Sequence, residues 1–294
     1  MGHCIELRAR AGQYFSYSGR SLLVINLAGD VPTSGYYFEN TRLLSRFELT
    51  ANGYRLRPIA ASPVDGIAFL AYQEVPKEAG VPERAIHVQI AHFLGGGLRT
   101  LLRIENCHGV KTREAAHASR LDIDLTIAVD ADFAGGDEAE QGIRHQTAPV
   151  ETTWDEVGQE LRFRYRHSKL DRAVAIRVEQ SSAPVGYENG ALAVFLRLHR
   201  HQPVELVLAV EPIFEGKRHS APQAIFGETM TPLGRIRRQL RDELPVLRTS
   251  NTTIARAWQT ATSDLVTLPF GLNPAQQSRS PGFPSTSSSS AAIL

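Results

Sequence analysis

Cysteine is almost missing from this chain. Cys4 and Cys107 are the only two among 294 residues, and neither belongs to a CxxC pair. That excludes a disulfide framework and a thiolate zinc site, and it predicts free thiols in a reducing, cytoplasmic setting. An excess of charge of one sign is lacking too. With 32 basic and 31 acidic residues the formal charge is +1, so there is no one-sided basic field of the kind that holds nucleic acid. No apolar run approaches the roughly 20 residues of a membrane-spanning helix. The start, "MGHCIELRARAG", carries early charges instead of a signal-peptide core, and Glu6 stands where an N-myristoylation site needs a hydroxyl. Neither nucleic acid nor a membrane is expected as a partner. Gly95-Gly96-Gly97 is not followed by the Lys-Ser/Thr pair of a P-loop, so it reads as a turn between strands.

What is present is alternation of period two. In "DIDLTIAVDADF", Ile123, Leu125, Ile127, Val129 and Phe133 share one face, while Asp122, Asp124, Asp130 and Asp132 occupy the other. That is a half-buried strand. The pattern returns with Leu161, Phe163 and Tyr165 set against Arg162, Arg164 and Arg166, then in Val174-Ile176-Val178, in Leu192-Val194-Leu196-Leu198 and in Val204-Leu206-Leu208-Val210. Asn52-Gly53 and Asn189-Gly190 sit between such segments, and their left-handed dihedrals suit tight hairpins. No βαβ alternation occurs before residue 225. The expected class is mainly β: an antiparallel, supersandwich-like β-sandwich over 1–230 whose two inner faces form one core. A helical linker is expected over 231–270, from "GRIRRQLRDEL" and from a stripe of Ile254, Ala257, Trp258, Ala261 and Leu265 after a Ser250/Asn251 cap. Residues 271–294, rich in Ser and Pro and without apolar period, read as a disordered tail.

Several groups invite a functional reading. The four aspartates of the strand read as a solvated row, because alternate residues of one strand do not converge on a metal and no EF-hand spacing is present. The three arginines of "LRFRYRH" likewise read as a solvated face. The histidines, among them His92, His199, His201 and His219, are scattered over many elements and default to surface or packing roles. Trp154 and Tyr187 are the candidate sugar-stacking aromatics, with ordinary burial as the competing reading.

The stretch "GYYFENTRLLSRFELTANG", preceded by "SGRSLLVINLAGDVP", resembles the N-terminal β-sandwich domain of the bacterial glycogen debranching (amylo-α-1,6-glucosidase) family. There the motif usually reads as an aromatic followed by Asp-Thr-Arg and Leu-Ser-Arg. "FLGGGLRTLLRIENC", "LTIAVDADFA" and "SNTTIARAWQTATSDLVTLPFG" follow in the family's order, so the resemblance runs from about Ser18 to Gly271. It implies that the catalytic acids lie on a later (α/α) toroid of helices, and that this chain carries no catalytic, cofactor-binding or metal-ligating residue. Asn40, Thr41, Arg42, Ser45 and Arg46 are then a structural signature. Asn40 departs from the family's Asp, which would remove an ion pair to Arg42. The implied partners are a helical glycosidase domain and an α-glucan. The implied function is that of a non-catalytic domain cut off before its catalytic partner by an early end of the reading frame. The alternative is a free-standing carbohydrate-binding sandwich.

Overall fold

The computed structural model describes residues 13–267, apart from 27–31, 66, 109–119, 146, 169, 224–238 and 240–241. Gly2, Cys4, most of the helix expected over 234–244 and the tail from Gly271 onward lie outside the described residues. Cys107 is a free thiol.

The described residues form eighteen strands, numbered along the chain and arranged in three sheets. A small sheet holds β1 (Gln13–Ser18), β2 (Ser21–Asn26), β3 (Gly35–Phe38) and β4 (Thr41–Leu44) in that order. A five-stranded sheet holds β5 (Arg46–Ala51), β6 (Tyr54–Arg55), β11 (Leu121–Asp130), β15 (Val185–Glu188) and β16 (Ala191–Leu198), ordered β15-β16-β11-β5-β6. The large sheet is built from β7 (Arg57–Asp65), β8 (Ala68–Glu74), β9 (Ile86–Leu94), β10 (Leu98–Asn106), β12 (Val150–Asp155), β13 (Glu160–His167), β14 (Leu170–Ser181) and β17 (Val204–Phe214). Its order is β12-β13-β14-β17-β10-β9-β8-β7, with β18 (Lys217–Arg218) added to β17. All strand pairings are antiparallel.

The expected sandwich is therefore present, with a third, small sheet laid against it. Ile123, Leu125 and Ile127 of β11 are fully buried and meet Leu161 and Phe163 of β13 and Leu206 and Leu208 of β17 in one continuous core. Each such side chain contributes about 1.5–3 kcal/mol by leaving water. Leu23, Tyr36, Phe38, Leu43 and Leu44 of the small sheet join the same core. Both Asn-Gly pairs form two-residue turns with positive φ at each residue, 50° and 81° at Asn52-Gly53 and 51° and 79° at Asn189-Gly190. These are the turns whose twist matches the flanking strands. Gly95-Gly96-Gly97 joins β9 to β10 as a turn.

One expectation needs correction. Asp132 does not continue the solvated row of β11: the strand ends at Asp130, Phe133 takes a left-handed φ of 52°, and the Asp132 carboxylate turns toward Arg42. The β13 arginines do form the solvated face expected of them, and they carry ion partners there. Arg164 and Arg166 face Asp171 at 2.6 and 3.7 Å. Arg162 begins a ladder of ion pairs across the outer face of the large sheet, running through Glu160, Arg218, Glu211, Arg177 and Glu179 to Arg99. Beneath it the outward residues Ala173, Ala175 and Ala209 are buried, so β14 and β17 lose the alternation that a two-sided environment would give.

The two edges of the large sheet differ. On β7, Pro58 and Pro63 lack an N–H, and the register against β8 shifts next to each of them. On the opposite edge, β12 pairs regularly with β13 over Val150–Asp155.

Among the described residues two α-helices accompany the sheets: α1 (Gly136–Gln141), and α2 (Thr252–Thr267). Asn251 Oδ1 accepts the N–H groups of Thr253 and Ile254 at 3.0 and 3.2 Å, which caps α2 as its sequence predicts. Its apolar stripe is largely uncovered, with Ile254 50%, Trp258 38% and Leu265 58% exposed, whereas Val266 is buried. Among the described residues no helix is long and apolar enough to cross a membrane.

Candidate functional site

Asn40-Thr41-Arg42 lies where the small sheet turns and hands the chain over to the sandwich. Phe38 pairs with Thr41 across Glu39 and Asn40, which have φ of 46° and 60°, so these two form the centre of a tight hairpin turn. Asn40 is exposed and serves through its backbone: its carbonyl accepts the N–H of Gly136 at 3.1 Å. Asn and Asp both tolerate this left-handed geometry. The expected loss of an Arg42 ion pair through Asn40 does not occur, because the carboxylate that meets Arg42 comes from elsewhere in the chain.

That carboxylate is Asp132. Arg42 Nε donates to its two oxygens at 3.1 and 3.2 Å, Nη2 bonds Oδ2 as well, and Nη1 reaches the Pro32 carbonyl. The Arg42 backbone N–H is also used, on the Ala134 carbonyl at 2.8 Å. Burial opposes the charge of Arg42, but the hydrogen bonds and charge of Asp132 outweigh it and hold the guanidinium above its ordinary value. Tyr37, directly across from Arg42, has its hydroxyl pushed up by burial despite that cation. Thr41 is buried, and its Oγ1 accepts a bond from Arg172.

The joint depends on two backbone devices. A register shift in the β3–β4 pairing, between Tyr36 and Tyr37, lets the consecutive Leu43 and Leu44 both reach the core. Gly35 has φ of 143°, and a Cβ there would stand 2.2 Å from the Leu44 carbonyl, so no other residue fits. After Leu44 the chain bends at Ser45, whose N–H bonds the Asp130 carbonyl at 2.9 Å, and Arg46 opens β5. Arg46 is exposed and donates to Glu48 at 2.8 and 3.1 Å.

Ser45 and Arg46 also border a cavity of about 250 Å³ between the small sheet and the sandwich. Leu23, Leu49, Phe47, Phe69 and Ile90 supply apolar wall, and Glu48, paired with both Arg46 and Arg55, stands among the lining groups. His92 of β9 lines it as a buried residue. Its Nδ1 lies 2.9 Å from Thr100 Oγ1, and its ring meets Phe47 edge-on and stacks on Phe69. Burial lowers the His92 pKa to about 4, so the imidazole is neutral at ordinary pH.

The other two candidates meet as well. Trp154 on β12 and Tyr187 on β15 have ring centroids 6.1 Å apart, tilted by 32°, and bring together the edge strands of two different sheets. Both are half-buried and pack against the main core. Burial raises the Tyr187 hydroxyl, with a further push from Asp130. Neither belongs to the Arg42 joint or to the lining of the cavity.

The sequence reading places Asp132 in a solvated row and His92 among scattered surface or packing histidines, and it does not name Gly35. A signal for Asp132 exists, since Phe133-Ala134-Gly135-Gly136 interrupts the strand pattern directly after it.

The stretch from residue 17 to residue 209 matches the model of the N-terminal domain of (some) glycogen debranching enzymes. The chain belongs to this family. No curated protein matches it. The debranching-enzyme N-terminal match covers the Arg42 joint, the cavity and the Trp154–Tyr187 contact, and ends before α2.

Proposed function

We propose that this chain serves as the non-catalytic sandwich domain of a glycogen-debranching type of glycoside hydrolase, supporting a helical (α/α) catalytic domain in α-glucan metabolism. The observation that carries the reading is the uncovered apolar face of α2, where Ile254, Trp258 and Leu265 lie on a helix that is already capped and formed. An isolated helix of this length is marginal in water, and its stripe calls for a packed partner. Covering the three side chains would contribute about 1.5–3 kcal/mol each at full burial. Hydrolysis itself needs two carboxyl groups facing each other across a sugar cleft, and this reading assigns both to the helical domain.

The test mixes the purified chain with the separately produced helical domain of a debranching enzyme of the same family and measures association. Wild type is expected to bind, and the double variant Ile254→Asp, Trp258→Asp is expected to lose binding while the sandwich stays folded. Binding indifferent to both substitutions would reject this role for α2.

A second reading, a free-standing carbohydrate-binding sandwich, draws on the Trp154–Tyr187 ring pair at the open end of the two sheets. It predicts retardation of the chain in a glycogen-containing gel, relieved by Trp154→Ala.

A further inference from the structure

β12 closes the large sheet with one side of its backbone unused. In an antiparallel pair, alternate residues point their N–H and C=O groups away from the partner strand. Along Val150–Asp155 those groups face outward, and no hydrogen bond reaches them among the described residues. The usual protections of such an edge are missing from the strand, which holds no proline, no lysine and no bulge. Glu151, Thr152, Thr153 and Asp155 are exposed, whereas Val150 and Trp154 are half-buried. Val150, Thr152 and Trp154 lie across from the core residues Tyr165, Phe163 and Leu161 of β13 and so belong to the inner face. Glu151, Thr153 and Asp155 belong to the outer one.

We infer that this edge pairs with itself: two copies of the chain join β12 to β12, antiparallel, about a two-fold axis that runs perpendicular to the sheet between the two Thr152 residues. Symmetry narrows the choice of register. An axis of this kind keeps the inner faces of both copies on one side, so an inner residue can meet only an inner one. Two central registers remain. Centred on Thr153, the pairing sets Glu151 against Asp155 of the second copy, and by symmetry does so twice, which is repulsive at both ends. Centred on Thr152, it sets Val150 against Trp154 and Glu151 against Thr153 of the second copy, and no like charges meet. The neighbouring strand favours this second register. On the inner face an apolar row runs unbroken from core to core, through Tyr165 and Val150 to Trp154 and Leu161 of the second copy. On the outer face the row is Arg164, Glu151, then Thr153 and Arg162 of the second copy, so the acid is bracketed by two arginines. Pro149 stands just before β12 and lacks an N–H, which confines the new ladder to the strand itself.

This contact does not involve α2, and it holds whether or not a helical domain docks there. The test uses the full chain carrying Ile254→Asp and Trp258→Asp, which removes self-association through α2. Sedimentation should show a monomer–dimer equilibrium with a Kd of about 50 µM, at the weak end expected of a small interface. Thr152→Lys sets two ammonium groups beside the axis and should weaken the dimer about tenfold. Thr153→Glu, which faces Glu151 of the second copy, should weaken it about fivefold. Both positions are exposed, so thermal unfolding of the two variants at low concentration should match that of the parent. The register is read with cysteines, in a chain whose Cys4 and Cys107 are replaced by serine. Mild oxidation should link Thr152→Cys chains, whose Cα atoms lie roughly 5 Å apart across the axis, and should leave Thr153→Cys chains unlinked at more than about 7 Å. A chain that stays monomeric at about 500 µM would overturn the inference. So would dimers indifferent to both Thr152→Lys and Thr153→Glu, or linked through Thr153→Cys in preference to Thr152→Cys.

Discussion

Arg42 and Asp132, 90 positions apart in the sequence, are locked together by three hydrogen bonds that tie the last hairpin of the small sheet to the end of the central strand β11. The two side chains are 13% and 27% exposed, so the pair is shielded on most sides. Removing one partner strands the other, and Arg42→Ala is expected to cost about 3 kcal/mol, toward the low end for a broken buried pair. Asp132→Asn, which keeps an acceptor, should cost about 1–2 kcal/mol. Chemical denaturation of the two single variants and the double variant measures the coupling. Additive losses would show that the two side chains do not act together.

His92 makes stability depend on pH. Its pKa is lowered from 6.5 to about 4 by burial. The unfolded chain therefore takes up a proton near pH 6.5 that the folded protein refuses until about pH 4. The contribution is fully present above pH 6.5 and is lost as the pH falls through that window. At about 1.4 kcal/mol per pH unit, the loss attributable to this group approaches about 3 kcal/mol. Unfolding free energies of wild type and His92→Gln between about pH 4 and 7 should converge toward the acid end. Parallel curves would remove His92 as the cause.

Much of the fold could be read from residues that depend only on their neighbours. The alternation of β11 and β13 and the two Asn-Gly turns are local, and each stands where the pattern puts it. The β14 and β17 periodicity also marks real strands, but half of its meaning is hidden, because Ala173, Ala175 and Ala209 lie beneath ion-paired side chains drawn from several strands. The Arg42 joint was legible as a motif and illegible as a contact. Its acid lies just past a strand whose regular alternation suggests that Asp132 points to solvent, and only the left-handed turn at Phe133 redirects it. The cavity has no signature along the chain at all. Its polar groups come from β9 and from the approach to β3, and they meet only because three sheets converge.

Asn40 is held at φ of 60°. Asn40→Asp should leave stability within about 0.5 kcal/mol of wild type, since both residues tolerate that conformation. Asn40→Val should cost about 1–2 kcal/mol, because a β-branched side chain collides with its own backbone there. Thermal unfolding of the two variants separates the outcomes, and equal losses would mean that the amide of Asn40 matters more than its backbone.

Ending the chain at Leu247 removes α2, whose buried contribution among its described side chains is Val266. The unfolding free energy of the sandwich should change by less than about 1 kcal/mol. Self-association, followed by sedimentation, should fall with the loss of Ile254, Trp258 and Leu265 from the surface. A large drop in stability would make α2 part of the sandwich's own core.

The prolines of β7 give the large sheet a direction of growth. A tenth strand approaching that side would meet missing donors at Pro58 and Pro63 and a register that slips beside each, so the ladder stops there of its own accord. At the other side, β12 offers six regularly paired residues and only its side chains, among them Glu151 and Asp155, to discourage a newcomer. Any strand exchanged between copies, or lent by a neighbouring segment, has one terminus of the sheet to join, and it is the one beside Trp154.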